Sequence, residues 1–115
     1  LPILHREIPM LVPAYAAFKP NERLKPHKIE RRNPGTMDVE IDIKFCGVCH
    51  SDLHQVRDEW GGSVFPMVPG HEIVGVVTRV GAGVKKFKAG DKVGVGCMVN
   101  SCQNCSSCSE GLEQY

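Results

Sequence analysis

The sequence predicts a mainly β fold, a barrel or sandwich of short strands with one short helix. Three observations support this prediction: a segment in which apolar and charged residues alternate strictly, turns rich in glycine and proline between short apolar runs, and the lack of the strand–turn–helix alternation that builds a nucleotide-binding fold. The 115 residues are enough for one domain with one hydrophobic core.

Three strands are expected in the first half of the chain. The clearest covers residues 38–45, which follow an Asn-Pro-Gly turn and have charged residues at every second position. Its apolar face consists of Val39, Ile41, Ile43 and Phe45. One apolar and one charged face are typical of a half-buried strand. Two shorter strands are expected at 14–18 and 24–31.

The second half of the chain begins with the predicted helix, over residues 51–56, with His50 or Ser51 near its N-terminus. An irregular loop with two prolines follows at 61–70, then a buried strand at 73–80 and a last strand at 92–95. The sequence after residue 100 is rich in Cys, Ser, Asn and Gly and has too few apolar residues to pack. Something other than a hydrophobic core must hold it.

Composition excludes several classes of protein. Fourteen Lys and Arg are interleaved with thirteen Asp and Glu, so the net charge is only +1 and nucleic acid is not an expected partner. No apolar run approaches the roughly 20 residues of a membrane helix, and no signal peptide is evident, so we expect a cytoplasmic protein without a membrane partner. Residues 1–12 are expected to be an N-terminal extension and residues 13–115 the domain.

Three of the six cysteines form a closely spaced run near the end of the chain: Cys102, Cys105 and Cys108, with the spacing C-x-x-C-x-x-C. Thiolates at this spacing can converge on one ion, and a structural zinc site takes four ligands. An iron–sulfur cluster needs a fourth cysteine and a proline at positions that Leu112 and Glu113 occupy. The run therefore predicts a structural zinc lobe whose fourth ligand follows the segment or is borrowed.

A second cluster of candidate ligands lies in the middle of the chain. A catalytic zinc takes about three protein ligands and leaves one position open for water or substrate. Cys49 and His71 are candidate ligands, and the carboxylates of Asp52 and Glu72 could orient them. From spacing alone, Cys46 and Cys49 could equally be a redox pair or a zinc knuckle, and the histidine an ordinary core residue.

Three motifs in succession resemble the zinc-containing medium-chain dehydrogenase/reductase superfamily. They are C-G-V-C-H-S-D-L-H at 46–54, V-P-G-H-E-I-V-G-V-V at 68–77 and A-G-D-K-V-G-V-G-C at 89–97, followed by the cysteine lobe. Order and spacing match from about Pro13 to Tyr115. The versions H-S-D-L-H and G-V-G-C-M-V-N-S-C resemble the cinnamyl-alcohol dehydrogenase branch of the alcohol dehydrogenases.

The resemblance implies a GroES-like β-barrel that carries most of a catalytic centre. Cys49 and His71 match two of three ligands of a catalytic zinc, and the third would lie downstream. Ser51 matches the hydroxyl that takes the proton of the alcohol, and His54 the imidazole that relays it to solvent through the cofactor ribose. Zinc would act on the substrate oxygen as a Lewis acid.

The resemblance assigns further roles around this centre. Asp52 and Glu72 match catalytic carboxylates behind the zinc ligands, and His50 matches a position that contacts the cofactor pyrophosphate. Trp60 and Met98 match residues of the substrate pocket, although Trp60 could instead be a core aromatic and Ser51 a helix cap.

The remaining cysteines divide into two groups under the resemblance. Cys102, Cys105 and Cys108 match the structural zinc lobe. Cys46 and Cys97 match no ligand, and we expect them to be small buried residues.

For the whole protein, the resemblance implies a zinc-dependent alcohol dehydrogenase or aldehyde reductase that moves hydride between a primary alcohol or aldehyde and NAD or NADP. The branch favours NADP, and a homodimer or homotetramer is expected. The cofactor-binding domain and two zinc ligands would lie beyond residue 115, so the segment alone is expected to be inactive. The alternative is a non-enzymatic GroES-like zinc-binding module, which leaves the pair Ser51 and His54 without a role.

Overall fold

The computed structural model describes residues 9–115, which form five strands and two short helices. They are β1 (Met10–Ala16), β2 (Lys25–Arg31), β3 (Val39–Gly47), α1 (His50–Val56), β4 (Glu72–Val80), β5 (Lys92–Val95) and α2 (Ser106–Ser109). The prediction of a mainly β chain is confirmed. Neither helix of this region is long or apolar enough to cross a membrane. The predicted extension at 1–12 lies mostly outside the described residues. Strand β1 begins at Met10 and so crosses the expected boundary between residues 12 and 13. The division into an extension and a domain stays a prediction.

The second helix, α2, is an addition to the predicted single helix. It is one turn of four residues, and the sulfur of Cys105 at its N-cap accepts a hydrogen bond from the backbone N–H of Cys108. A run of serines and cysteines has no apolar period of 3.6 residues, so hydrophobic patterning could not reveal this turn.

The strands form two separate antiparallel sheets. β1 pairs with β2 from Met10 opposite Arg31 to Ala16 opposite Lys25. The second sheet has the order β3-β4-β5, with two irregularities of register between β3 and β4. Gly75 lies beside them on β4, where a Cβ atom would meet the Asp42 carbonyl oxygen and the Ile41 side chain at 2.5 Å each. Glycine therefore allows the close approach of the two strands at this point.

The fully buried apolar residues are few in the described part of the chain, namely Ala16, Ala17 and Val77. Ala17 also exchanges two backbone hydrogen bonds of 2.8 Å with Met67. This bridge ties the end of β1 to the loop that precedes β4. The loop is thus fixed at Met67, four residues before the candidate zinc ligand His71.

The expected burial of the apolar face of β3 is wrong for its second half. Ile43 is exposed, and Phe45 is 75% exposed. β3 is an edge strand, and the elements of residues 9–115 pack only against their neighbours within a sheet. The alternation correctly predicted the strand, but burial depends on a covering layer that the described residues do not supply.

Candidate functional site

The buried carboxylate of Asp52 connects the start of α1 to the loop before β4. Cys49 is the N-cap of α1, with an extended backbone, and its N–H donates to Asp52 Oδ2 at 2.9 Å. The other carboxylate oxygen, Oδ1, accepts the N–H of Gly70 at 3.0 Å. Asp52 is only 8% exposed, so these two bonds are shielded from water. They bring Cys49 and the residue after Gly70 together.

Three side chains from these two segments converge. The ligand atoms of Cys49, His71 and Glu72 all lie within 4.8 Å of one another, and His71 Nδ1 is 3.2 Å from Asp52 Oδ1. Gly70 precedes His71 with φ +121°, a conformation that side-chain-bearing residues rarely adopt. A thiolate, an imidazole and a carboxylate are all ligands that zinc accepts, and three of them leave a fourth position open. Glu72, expected to lie behind the zinc ligands, is thus itself a candidate ligand. The arrangement fits a catalytic zinc.

The contacts within this cluster favour the thiolate form of Cys49 and the protonated form of His71. The backbone N–H and then the hydroxyl of Ser51, followed by His71, hold the pKa of the Cys49 thiol below its usual value. The hydrogen bond with Cys49, followed by the charge of Asp52, raises the pKa of His71. A thiol that ionises more easily is a better metal ligand, because the thiolate is the binding form.

Ser51 lies next to this cluster. It is the second residue of α1, and the Sγ of Cys49 is 3.6 Å from its Oγ. The interpretation of Ser51 as a helix cap is wrong, because Cys49 occupies the cap. The hydroxyl therefore lies beside a candidate zinc ligand.

One turn further along α1, the ring of His54 is surrounded by three side chains. Its Nδ1 hydrogen-bonds to the carboxylate of Glu59. The Trp60 indole stacks on it, with ring centroids 4.8 Å apart and planes at 28°, and the His50 ring lies 4.8 Å away at 39°. Trp60 is 61% exposed, so the interpretation as a core aromatic is wrong.

The sequence had not pointed to Glu59. Its contact with His54 spans five residues and crosses the end of α1, where Asp58 takes a positive φ of 55° and the chain reverses. Helix spacing rules relate residues three or four apart, so they miss this pair. The hydrogen bond with His54, followed by the charge of Arg57, holds the pKa of the Glu59 carboxyl below its usual value.

The cysteine lobe brings its three thiols together. The sulfurs of Cys102, Cys105 and Cys108 lie within 4.8 Å of one another, and those of Cys102 and Cys108 are 3.7 Å apart. The backbone N–H of Asn104, followed by contacts with Cys105, lowers the pKa of Cys102 to about 7. A thiol that ionises near neutral pH, beside two others, fits three ligands of a structural zinc.

The last three sequence-derived residues belong to neither group of candidate ligands. Cys46 and Cys97 are exposed, which corrects the expectation that they are buried. Within the described residues neither belongs to a group of three convergent ligands. Met98 is exposed on the irregular segment after β5. The few neighbours of β3 and β5 in this part of the chain account for the exposure.

Comparisons with known proteins agree with this geometry. The profile of the alcohol dehydrogenase GroES-like domain matches residues 35–115. Curated relatives include NADP-dependent alcohol dehydrogenase C of Mycobacterium bovis, 59% identical over 104 residues, and aldehyde reductase YahK of Escherichia coli, 57% identical over 106 residues. They match 90% and 92% of this chain, respectively, and 30% of their own lengths.

A solved structure of a cinnamyl alcohol dehydrogenase from Sorghum bicolor is also similar. It superimposes with a TM-score of 0.89 at 52% identity, over 92% of this chain and 30% of the sorghum chain. The chain thus spans about 30% of the length of these relatives. The expected GroES-like fold and superfamily are confirmed. The chain belongs to the alcohol dehydrogenase GroES-like domain family.

Proposed function

We propose that this chain is the zinc-holding segment of an NADP-dependent alcohol dehydrogenase or aldehyde reductase. The observation that carries the proposal is the convergence of Cys49, His71 and Glu72 beside the hydroxyl of Ser51. A metal held by these three ligands would polarise the substrate oxygen, and NADP would exchange the hydride. The NADP preference rests on the names of the relatives, such as the mycobacterial dehydrogenase.

The side chains of this segment would handle the proton of the reaction. In alcohol oxidation, Ser51 takes the hydroxyl proton of the substrate and passes it toward His54. Glu59 accepts the Nδ1–H of His54, which leaves Nε2 as the proton acceptor. Release of that proton to water restores the neutral imidazole, and aldehyde reduction runs through the same groups in reverse. Asp52 fixes the positions of Cys49 and His71 relative to each other. His50 would contact the cofactor.

We further propose primary alcohols and aldehydes as substrates, with Trp60 and Met98 lining part of their pocket. The exposed indole of Trp60 suits the face of an aromatic substrate. The six free thiols support a cytoplasmic protein. A homodimer or homotetramer stays a prediction. Because the segment covers about 30% of its relatives, we expect it to be inactive alone.

The test is aldehyde-dependent NADPH oxidation by the full-length protein and its Ser51→Ala variant. Loss of a positioned proton-transfer group lowers turnover by about 10²–10⁴-fold. Zinc content should not change, because Ser51 is not a ligand. The control is Ser63→Ala, which removes a hydroxyl that donates to the Gln55 carbonyl oxygen and has no place in the relay.

Two results would count against the proposal. Near-normal turnover of Ser51→Ala would remove Ser51 from the relay. A zinc-loaded full-length protein that catalyses no aldehyde-dependent oxidation of NADPH would contradict the proposed enzyme and would favour the non-enzymatic zinc-binding module.

A further inference from the structure

The imidazole of His54 is held on three sides. The indole of Trp60 covers one face and the ring of His50 approaches it as well, each with ring centroids 4.8 Å from that of His54. The Nδ1 edge is hydrogen-bonded to Glu59. Within residues 9–115, the Nε2 edge is the only edge of this ring without a hydrogen-bond partner. The ring thus has little freedom to tilt as long as its neighbours stay in place.

The turn after α1 brings the indole back over His54. The N–H of Glu59 donates to the His54 carbonyl oxygen at 3.0 Å, and Asp58 adopts φ 55°. Asp58 Oδ1 then accepts the N–H of Ser63 at 2.9 Å, which closes the loop that presents Trp60. The indole reaches His54 because of this loop, although Trp60 itself is 61% exposed. Its stacking is thus a specific contact and not a consequence of core burial.

We propose that Trp60 is a positioning residue of the proton relay as well as a wall of the substrate pocket. This inference rests on the proposed function, since it takes His54 as the relay. Proton transfer needs donor and acceptor atoms about 2.6–3.2 Å apart, so a tilt of the imidazole would misplace Nε2. The stacked indole resists that tilt. A residue that only lined the pocket would act on substrate binding and not through His54.

A double-mutant cycle in the full-length enzyme separates the two roles. Trp60→Leu removes the ring and keeps apolar bulk, and Trp60→Phe keeps a ring that can stack. Each is combined with wild-type His54 and with His54→Ala. The single-turnover rate of NADPH oxidation is measured with benzaldehyde, which fills an aromatic pocket, and with propanal, which is too small to depend on it. Tyr15→Leu is the matched control, because Tyr15 is an aromatic residue of 63% exposure on β1.

With His54 present, Trp60→Leu should slow both substrates by about twofold to tenfold, the range expected from loss of one aromatic stacking contact. Trp60→Phe should retain most of the rate, and Tyr15→Leu all of it. In the His54→Ala background, Trp60→Leu should have no further effect on propanal. The histidine proton resonances of Trp60→Leu should also shift, because the ring current of the indole is lost.

An equal loss of rate with and without His54 would overturn the inference, since Trp60 would then act independently of the relay. A loss of single-turnover rate confined to benzaldehyde would also overturn it and would leave Trp60 as a pocket residue only. Both results would leave the proposed function intact. An inactive wild-type enzyme would overturn the proposed function and this inference with it.

Discussion

Replacement of Asp52 by Asn should loosen the candidate catalytic zinc without removing a ligand. Asp52 offers one oxygen to the N–H of Cys49 and the other to the N–H of Gly70, at 2.9 and 3.0 Å. An asparagine has one carbonyl oxygen, so its NH₂ group would face one of these two donors. Because Asp52 is only 8% exposed, water cannot easily replace the lost acceptor.

The magnitude follows from two effects of the substitution. A buried N–H donor left without a partner costs about 1–3 kcal/mol of stability. Loss of a carboxylate that orients a metal ligand weakens metal binding by about 10–100-fold. His71 Nδ1, 3.2 Å from Asp52 Oδ1, would lose its charged neighbour, which is the physical reason for the second effect.

The assay is zinc transfer from the full-length enzyme to a competing chelating dye, together with unfolding in urea. Asp42→Asn is the control, because Asp42 is an exposed aspartate whose carboxylate contacts Lys44 at 2.5 Å. Zinc affinity of Asp52→Asn within a factor of two of wild type would refute the reasoning, as would an equal effect of the control.

Two further predictions concern the stability of the fold. The hydrogen bond from Arg32, followed by that from the Gly35 N–H, lowers the pKa of Asp38 from 3.8 to about 2. The ionised Asp38 carboxylate therefore stabilises the fold above about pH 4, and this contribution is lost as the pH falls through 2. In urea titrations, Asp38→Asn should therefore lower the free energy of unfolding at pH 7, and the gap to wild type should close between pH 4 and 2; a constant gap would contradict this. Gly75→Ala should push β3 away from β4 and cost about 1–3 kcal/mol, seen as a lower urea midpoint. The control is Gly96→Ala, because a Cβ at Gly96 meets nothing within 4 Å. An equal urea midpoint for the two variants would count against the close approach of β3 and β4 at Gly75.

Local sequence patterns were enough to predict the strands and the first helix. Strict alternation at 38–45 predicts β3, and the run 51–56 with His50 or Ser51 near its N-terminus predicts α1, because both signals arise within a few residues. Burial did not follow from them. Phe45 is exposed, since whether a strand face is covered depends on distant parts of the chain.

The candidate site divides in the same way. The cysteine lobe could be predicted because its three ligands lie within seven residues. The grouping of Cys49 with His71 needed a resemblance, since it depends on how Asp52 bridges two segments. The pairing of His54 with Glu59 could not be predicted, because a backbone reversal at a positive φ sets it and no short-range pattern signals that reversal.

The central claim is that this segment holds two separate zinc ions, one catalytic and one structural. The most direct test is the zinc content of the full-length protein after dialysis, measured for wild type and for His71→Ala, Cys105→Ser and Cys97→Ser. We expect about two zinc ions per chain in wild type, since each cluster supplies three ligands for one ion.

Each cluster variant should lose about one ion, whereas Cys97→Ser, which lies outside both clusters, should keep both. Loss of activity should accompany the loss of zinc in His71→Ala. Unchanged zinc content in both His71→Ala and Cys105→Ser would contradict the assignment of these clusters as metal sites.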